Sequence, residues 1–273
     1  VQLGSPETTT AAFERALGHA NQGLAAITGT TADDIRVRSA LQVTRGRILM
    51  NLNRPADAAA AVAGVLTTFT YRTLHSAATE RNYIWLRNLQ ERRYSVGNNE
   101  GGNGLNFATA GDPRLPVTAS GVRDDQGTPM NRQGLWTAQE TPVIIVGGVE
   151  ARLIEAEAQL RAGGATAALA TLNATRRAFF TTAQLPDLAP AGTDAGRVDQ
   201  LFRERAFWLF GRGHRTGDLR RLIRQYGRPA NTVFPTGAWH KNGSQYGTDV
   251  TMPNPSAELN NPNVQQLCID RNA

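Results

Sequence analysis

Cysteine and lysine are almost missing from this 273-residue chain, which has one of each, Cys268 and Lys241. A lone cysteine excludes an internal disulfide framework and any cysteine-based metal cluster. No apolar run approaches the roughly 18 residues that cross a bilayer. No basic-then-apolar leader follows Val1. The four histidines, His19, His75, His214 and His240, show no HExxH pair and no i, i+4 spacing. G-x-S-x-G elbows, Walker loops and dinucleotide-binding glycine patterns are also missing. Asp124-Asp125-Gln126-Gly127 lacks the alternating ligands and terminal Glu of a calcium loop and reads as a plain turn. These absences point to a non-enzyme without cofactor or metal.

What the chain does have is arginine. Its formal charge is +6 and its pI about 10.2. The arginines are dispersed along the helices, and aromatic residues are not interleaved with them as a base-stacking platform requires, so a nucleic-acid partner is not expected.

Helical periodicity dominates. Phe13, Ala16, Leu17, Ala20, Leu24 and Ile27 recur at helical spacing over Ala11–Ile27, with Thr10 as the expected cap and Gly29 beyond the end. A second helix is expected over Asp33–Leu52, opened by Thr31, and a third begins at Pro55 and carries Val62, Val65 and Leu66. Gly46 and Ala58 stand twelve residues apart, the spacing of small contact residues where the helices of a tetratricopeptide (TPR) unit cross. Ala156 and Ala168 repeat that relation on a second expected pair, Val149–Arg161 and Ala165–Phe180, with Gly163 at the turn. A plain helical hairpin packed by small residues would look much the same. By this phasing the helix at 11–27 lacks a partner, and further residues of the same fold are expected before Val1.

The fold class expected is mainly α, a TPR-like helical repeat scaffold with long irregular loop insertions. One domain over 1–273 divides into N-terminal helices at 9–67, a loop-rich insertion at 68–141, a second helix pair with charged helices at 142–226, and a C-terminal loop region at 227–273. In the insertion, an apolar helix is expected from Tyr83 to about Arg93, followed by NNEGGNGLNF at Asn98–Phe107, whose Gly and Asn density marks irregular backbone.

The densest charge pattern is FRERAFWLFGRGHRTGDLRR, from Phe202 to Arg221. Val198, Leu201, Phe202, Ala206, Leu209 and Phe210 form one apolar stripe, and Leu219, Leu222, Ile223 and Tyr226 form the next. Gly213 is expected to end the first helix, Thr216 to cap the second and Gly227 to end it. Glu204, Arg215, Asp218 and Arg220 fall close enough in this corner to pair, which reads as a salt-bridged helix junction rather than a ligand site.

Glu204-Arg205, Gly213-His214-Arg215 and Asp218-Leu219-Arg220-Arg221, followed by TMPNPSAELNNPN at Thr251–Asn263, resemble the C-terminal signature of the SusD/RagB family. EARLIEAEAQLRAG from Glu150, LNATR from Leu172 and the Asp-Pro-Arg loop within Asn103–Val117 resemble further family segments. Departures are Trp208 and Arg212, where many members have Glu. The lipid-bearing N-terminal cysteine of a typical member is also missing, since Cys268 comes far too late to serve.

The resemblance implies a SusD-like outer-membrane, cell-surface protein, its lipid anchor not within this chain. Such a protein captures a glycan or other nutrient for a SusC-type TonB-dependent transporter. It makes the signature residues structural. Binding is then expected from aromatic faces and amides in loops: Trp239, Tyr246, Trp136, Trp85, Asn82 and Asn103, with Trp208 in the core. The alternative is a TPR-like protein-interaction or self-assembling module that binds no saccharide, with self-association through the N-terminal helix.

Overall fold

The computed structural model describes residues 7–239 and 241–251, and the protein over this range is mainly α, about 47% helical. Three helices open the chain: α1 (Thr9–Ala26), α2 (Ala32–Asn51) and α3 (Pro55–Val62). Each start has a local cause. The Thr8 hydroxyl, not that of Thr10, accepts the Ala11 N–H and caps α1. Thr31 and Asp34 form a reciprocal capping box on α2, and Pro55 opens α3 where its missing N–H costs nothing. At the α2–α3 crossing, a Cβ on Gly46 would lie 2.5 Å from Val62 Cγ1 and 3.4 Å from the Ala58 carbonyl oxygen, so only glycine allows this approach.

The insertion is less irregular than expected. Strand β1 (Thr70–Thr73) follows α3. A short α4 (Tyr83–Trp85) then runs into a π-helical turn at Leu86–Gln90, so the expected helix to Arg93 is broken early. The buried Asn88 amide explains the break, because it donates to the Tyr94 and Asn131 carbonyls and pulls the chain off the helix path. Strands β2 (Val117–Arg123) and β3 (Pro129–Gln133) form an antiparallel hairpin, and β4 (Val143–Gly147) returns to pair antiparallel with β1. None of these strands is apparent from helical periodicity.

The second helical group follows: α5 (Gly148–Arg161), α6 (Ala165–Arg177), α7 (Asp194–Trp208), α8 (Arg215–Tyr226) and the short α9 (Ala230–Val233). Helix α6 stops at Arg177 rather than Phe180, and α7 at Trp208, leaving Phe210 outside the helix. Gly211 and Gly213, at φ 68° and 76°, carry the chain through the corner. Helix α8 begins at Arg215 after His214, whose side chain makes no capping bond, so the cap expected from Thr216 is not used. Gly227 ends α8 in the left-handed conformation, as its position predicts.

The centre of the molecule is α5. Ala151 and Ile154 enter a core built with Leu17, Val43, Leu49 and Val62 from the N-terminal helices. Leu153 and Ala156 enter a second core with Leu172, Leu201, Phe202 and Leu222. A helix buried on both sides loses its one-sided amphipathic pattern. A third, smaller core joins Val96, Leu115 and Phe207, with Phe107 and Phe210 against them. The pairs α2–α3 and α5–α6 are packed hairpins with small residues at their crossings; the TPR-like reading is carried no further than that.

Candidate functional site

The charged corner is built from buried carboxylates, each taken by arginine. Glu204, 1% exposed, accepts Arg114 Nη1 at 2.6 Å and Arg176 Nε at 3.0 Å, with a second bond from Arg176 Nη2. Arg114 also grips Asp112 through Nε at 2.9 Å and Nη2 at 2.6 Å, and its guanidinium lies 5.3 Å from the ring centres of both Phe207 and Trp208. The Asp-Pro-Arg loop is thereby plugged into α7.

On the other face of the corner, Asp218 takes Arg205 Nε and Nη2, both at 2.9 Å, and Arg221 Nη2 at 3.0 Å. Arg221 reaches Glu157 with both terminal nitrogens, and the Tyr226 hydroxyl donates to the same carboxylate at 2.8 Å. Glu150 accepts Arg47 Nε at 2.6 Å and Nη2 at 2.7 Å, tying α2 to α5.

Burial alone would raise the Asp218 pKa, but the Arg205 and Arg221 guanidiniums overrule it and hold the group at about 2. His214 is pushed down to about 4 by burial, and Arg47 and Arg205 add to the effect against the opposing Glu150, so its imidazole is neutral at pH 7. Burial and Glu157 together raise the Tyr226 pKa, so its hydroxyl keeps its proton.

The pairing differs from the sequence expectation. Glu204 pairs with Arg114 and Arg176, Asp218 pairs with Arg205 and Arg221, and Arg220 Nη1 donates to the Val250 carbonyl at 3.0 Å. Arg215 is partly buried and is attracted by Asp218. The partners Glu157, Arg114 and Arg176 come from distant segments, which spacing within 202–221 could not reveal.

A second assembly consists of loops. In the loop at 98–107, Asn99 and Gly101 take positive φ, and a Cβ on Gly101 would lie 2.5 Å from the Thr236 nitrogen. That close approach presses the loop onto the start of the loop at 235–246. The latter folds back on itself through an Ala238–Gln245 bridge and a Tyr246 N–H to Gly237 carbonyl bond of 2.8 Å. Lys241 fastens it to the β2–β3 turn: its ammonium lies 2.7 Å from Asp124 Oδ2, 3.2 Å from Gln126 Oε1 and 5.7 Å from the Trp239 ring centre. Asp124 also accepts N–H groups of Gln126 and Thr128, and its pKa is lowered, with Lys241 the largest cause.

The candidate binding residues divide between these settings. Trp239 and Tyr246 belong to the loop assembly and are partly exposed, and the enclosed Tyr246 hydroxyl has no hydrogen-bond partner among the described residues. Asn103 spans the assembly as a strut, its amide donating to the Asn231 and Phe234 carbonyls at 3.0 and 2.8 Å. Asn82 is fully buried, capping α4 and donating to the Thr141 carbonyl at 2.7 Å. Trp136 is 4% exposed and backs onto Gly211. Trp85 is half-buried on α4, away from Trp239 in sequence and element. Trp208 is half-buried between Phe179, Phe180 and Arg114. The exposed Tyr83, with Arg87 over its ring, was not apparent as a candidate; its position directly after an asparagine helix cap is the available signal.

The matched segment of the chain begins where α5 begins. Residues 149–267 match the SusD family. The SusD-like stretch runs through α5–α9 and the loop bearing Trp239 and Tyr246, and it includes both signature landmarks. It is less than half of the chain, and most of the later landmark, from Met252 to Asn263, lies outside the described residues, as do His240 and Cys268. No curated protein and no solved structure gives a significant match. No helix among the described residues is long and apolar enough to cross a membrane, and no group of three or more His, Cys, Asp or Glu among them could hold a metal.

Proposed function

We propose that this chain captures a glycan or related nutrient at the outer-membrane surface and passes it to a SusC-type TonB-dependent transporter, without catalysing a reaction. The SusD-family match carries this reading, because proteins of that family act in binding and work with SusC-type transporters and glycans. The geometry adds a division of labour. The signature carboxylates are occupied by arginine within the scaffold, which favours the loop assembly around Trp239 and Tyr246 as a ligand surface.

Sugar recognition needs an aromatic face for the C–H side of the ring and polar groups at its rim. Trp239 offers the face, and Lys241, Asp124 and Gln126 hold its loop in place. A glycan array followed by calorimetry tests the reading. Trp239→Ala is expected to weaken binding by at least about ten-fold, as for loss of a hot-spot aromatic. An array with no bound glycan, or a Trp239→Ala protein that binds as well as the parent, would refute it.

A further inference from the structure

Three cavities of about 310, 360 and 120 Å³ share one lining residue, Arg215, at the seam between the loop at 97–107 and helices α7 and α8. The first is the most basic. Arg203, Arg215 and Arg228 line it, with Asp199 as its lining carboxylate. That carboxylate is already taken, because Arg228 Nη2 lies 2.8 Å from Asp199 Oδ1. Arg203 gives one bond to Asn106 and otherwise covers the Phe207 ring. Arg215, the residue common to all three cavities, is attracted by Asp218.

Two further carboxylates lie at the seam, and Asp218 attracts Arg215. Asp218, lining the second cavity, is held by Arg205 and Arg221, and Glu100 lines the third. The wall beside Arg215 is apolar, formed by Phe202, Leu219 and Leu222. Burial against this wall pulls the Arg215 pKa below the ordinary arginine value, with Asp218 opposing it. An anion reaching it would meet a preformed fork of donors in a setting of reduced dielectric.

We propose that the Arg215 crevice is an anion subsite that takes the carboxylate or sulfate ester of an acidic saccharide. This deepens the proposed function and rests on it for the saccharide, while the anion site rests on the crevice alone. The crevice adjoins the loop assembly: Asn103, which lines its first cavity, is bonded to Phe234, and Pro235, which lines its third, is pressed by Gly101.

The test is an NMR titration that follows arginine side-chain Nε–H signals, with glucuronate, glucose 6-sulfate, glucose and inorganic sulfate as probes. The Arg215 signal is assigned from its loss in Arg215→Lys. Both acidic sugars are expected to shift that signal and to bind about ten-fold or more tighter than glucose, in keeping with one charge-assisted bidentate contact. Inorganic sulfate is expected to bind more weakly than glucose 6-sulfate. Arg215→Gln is expected to abolish the preference for acidic sugars without changing the circular-dichroism spectrum, and Arg215→Lys to restore part of it.

Equal affinity for glucose and glucuronate, or a preference that survives Arg215→Gln, overturns the proposal while leaving saccharide capture intact. Inorganic sulfate binding as tightly as glucose 6-sulfate overturns the saccharide part. A blank glycan array with glucuronate still titrating Arg215 supports the anion site and refutes neutral-glycan capture. An Arg215 signal unmoved by every probe overturns the proposal outright.

Discussion

Replacing Glu204 by glutamine keeps the side chain's shape and removes one charge at the point where three segments meet. The carboxylate is 1% exposed and serves two buried arginines, Arg114 and Arg176, which are 6% and 7% exposed. Arg114 keeps Asp112 as a partner, whereas Arg176 keeps the Pro186 carbonyl as its hydrogen-bond partner among the described residues and the more distant attraction of Asp112. Removing one member of a buried pair costs about 3–5 kcal/mol, because the other charge stays buried and unmatched. The amide can still accept one bond, which places Glu204→Gln near the lower end, at about 3 kcal/mol.

For a chain of this size each kcal/mol lowers the melting temperature by roughly 2–4 °C, so a drop of about 6–12 °C is expected in a thermal melt. Urea unfolding should show a lower midpoint with an unchanged slope. The double variant Glu204→Met/Arg176→Met removes both charges and should recover part of the loss. A single-variant cost below about 1 kcal/mol, or a double variant less stable than the single, would refute the view that this carboxylate holds the corner.

Acid should loosen the same corner in a defined window. Asp218 has its pKa depressed from 3.8 to about 2, so its contribution is fully present above about pH 4 and is lost as pH falls toward 2. The amount is roughly 2 kcal/mol, and urea melts from pH 5 to pH 2 should show that loss in the parent but not in Asp218→Asn. Gly211→Ala forces a Cβ onto a residue with φ 68° and to within 2.8 Å of Trp136 Cη2, so a loss of about 2 kcal/mol and an altered tryptophan emission spectrum are expected. Stability equal to the parent would show that the turn is not constrained by the indole.

Helices with a one-sided apolar stripe were legible from sequence, and so were some of their local caps, though Thr8 rather than Thr10 caps α1 and Thr216 does not cap α8. Thr31, Pro55 and Gly227 act where spacing puts them, because capping depends on neighbours within a few residues. The Gly46 crossing was also legible, since a close approach demands a small residue. Strands β1–β4 were not: β1 and β4 are short and pair across 70 or more residues, and the β2–β3 hairpin carries no strict apolar alternation to announce it.

The charge corner shows the same limit. Its residue types were evident, yet Glu204 pairs with Arg114, 90 residues away, and Arg221 with Glu157, 64 away. For the candidate site, an aromatic or amide in a loop looks alike whether it faces solvent or serves as a strut. Asn82 and Asn103 are spent on backbone carbonyls, and that use appears only when the folded neighbours are known.

The position of α5 bears on how the chain could be divided. The family match starts at residue 149, which invites cutting there to obtain a compact recombinant module. Such a fragment would bare Ala151 and Ile154, both 1% exposed or less, where α2 and α3 now cover them. It would also leave Glu150 without Arg47 and Glu204 without Arg114. The boundary of sequence similarity thus runs through a shared core, and the N-terminal helices and the Asp-Pro-Arg loop are packed directly onto the matched segment.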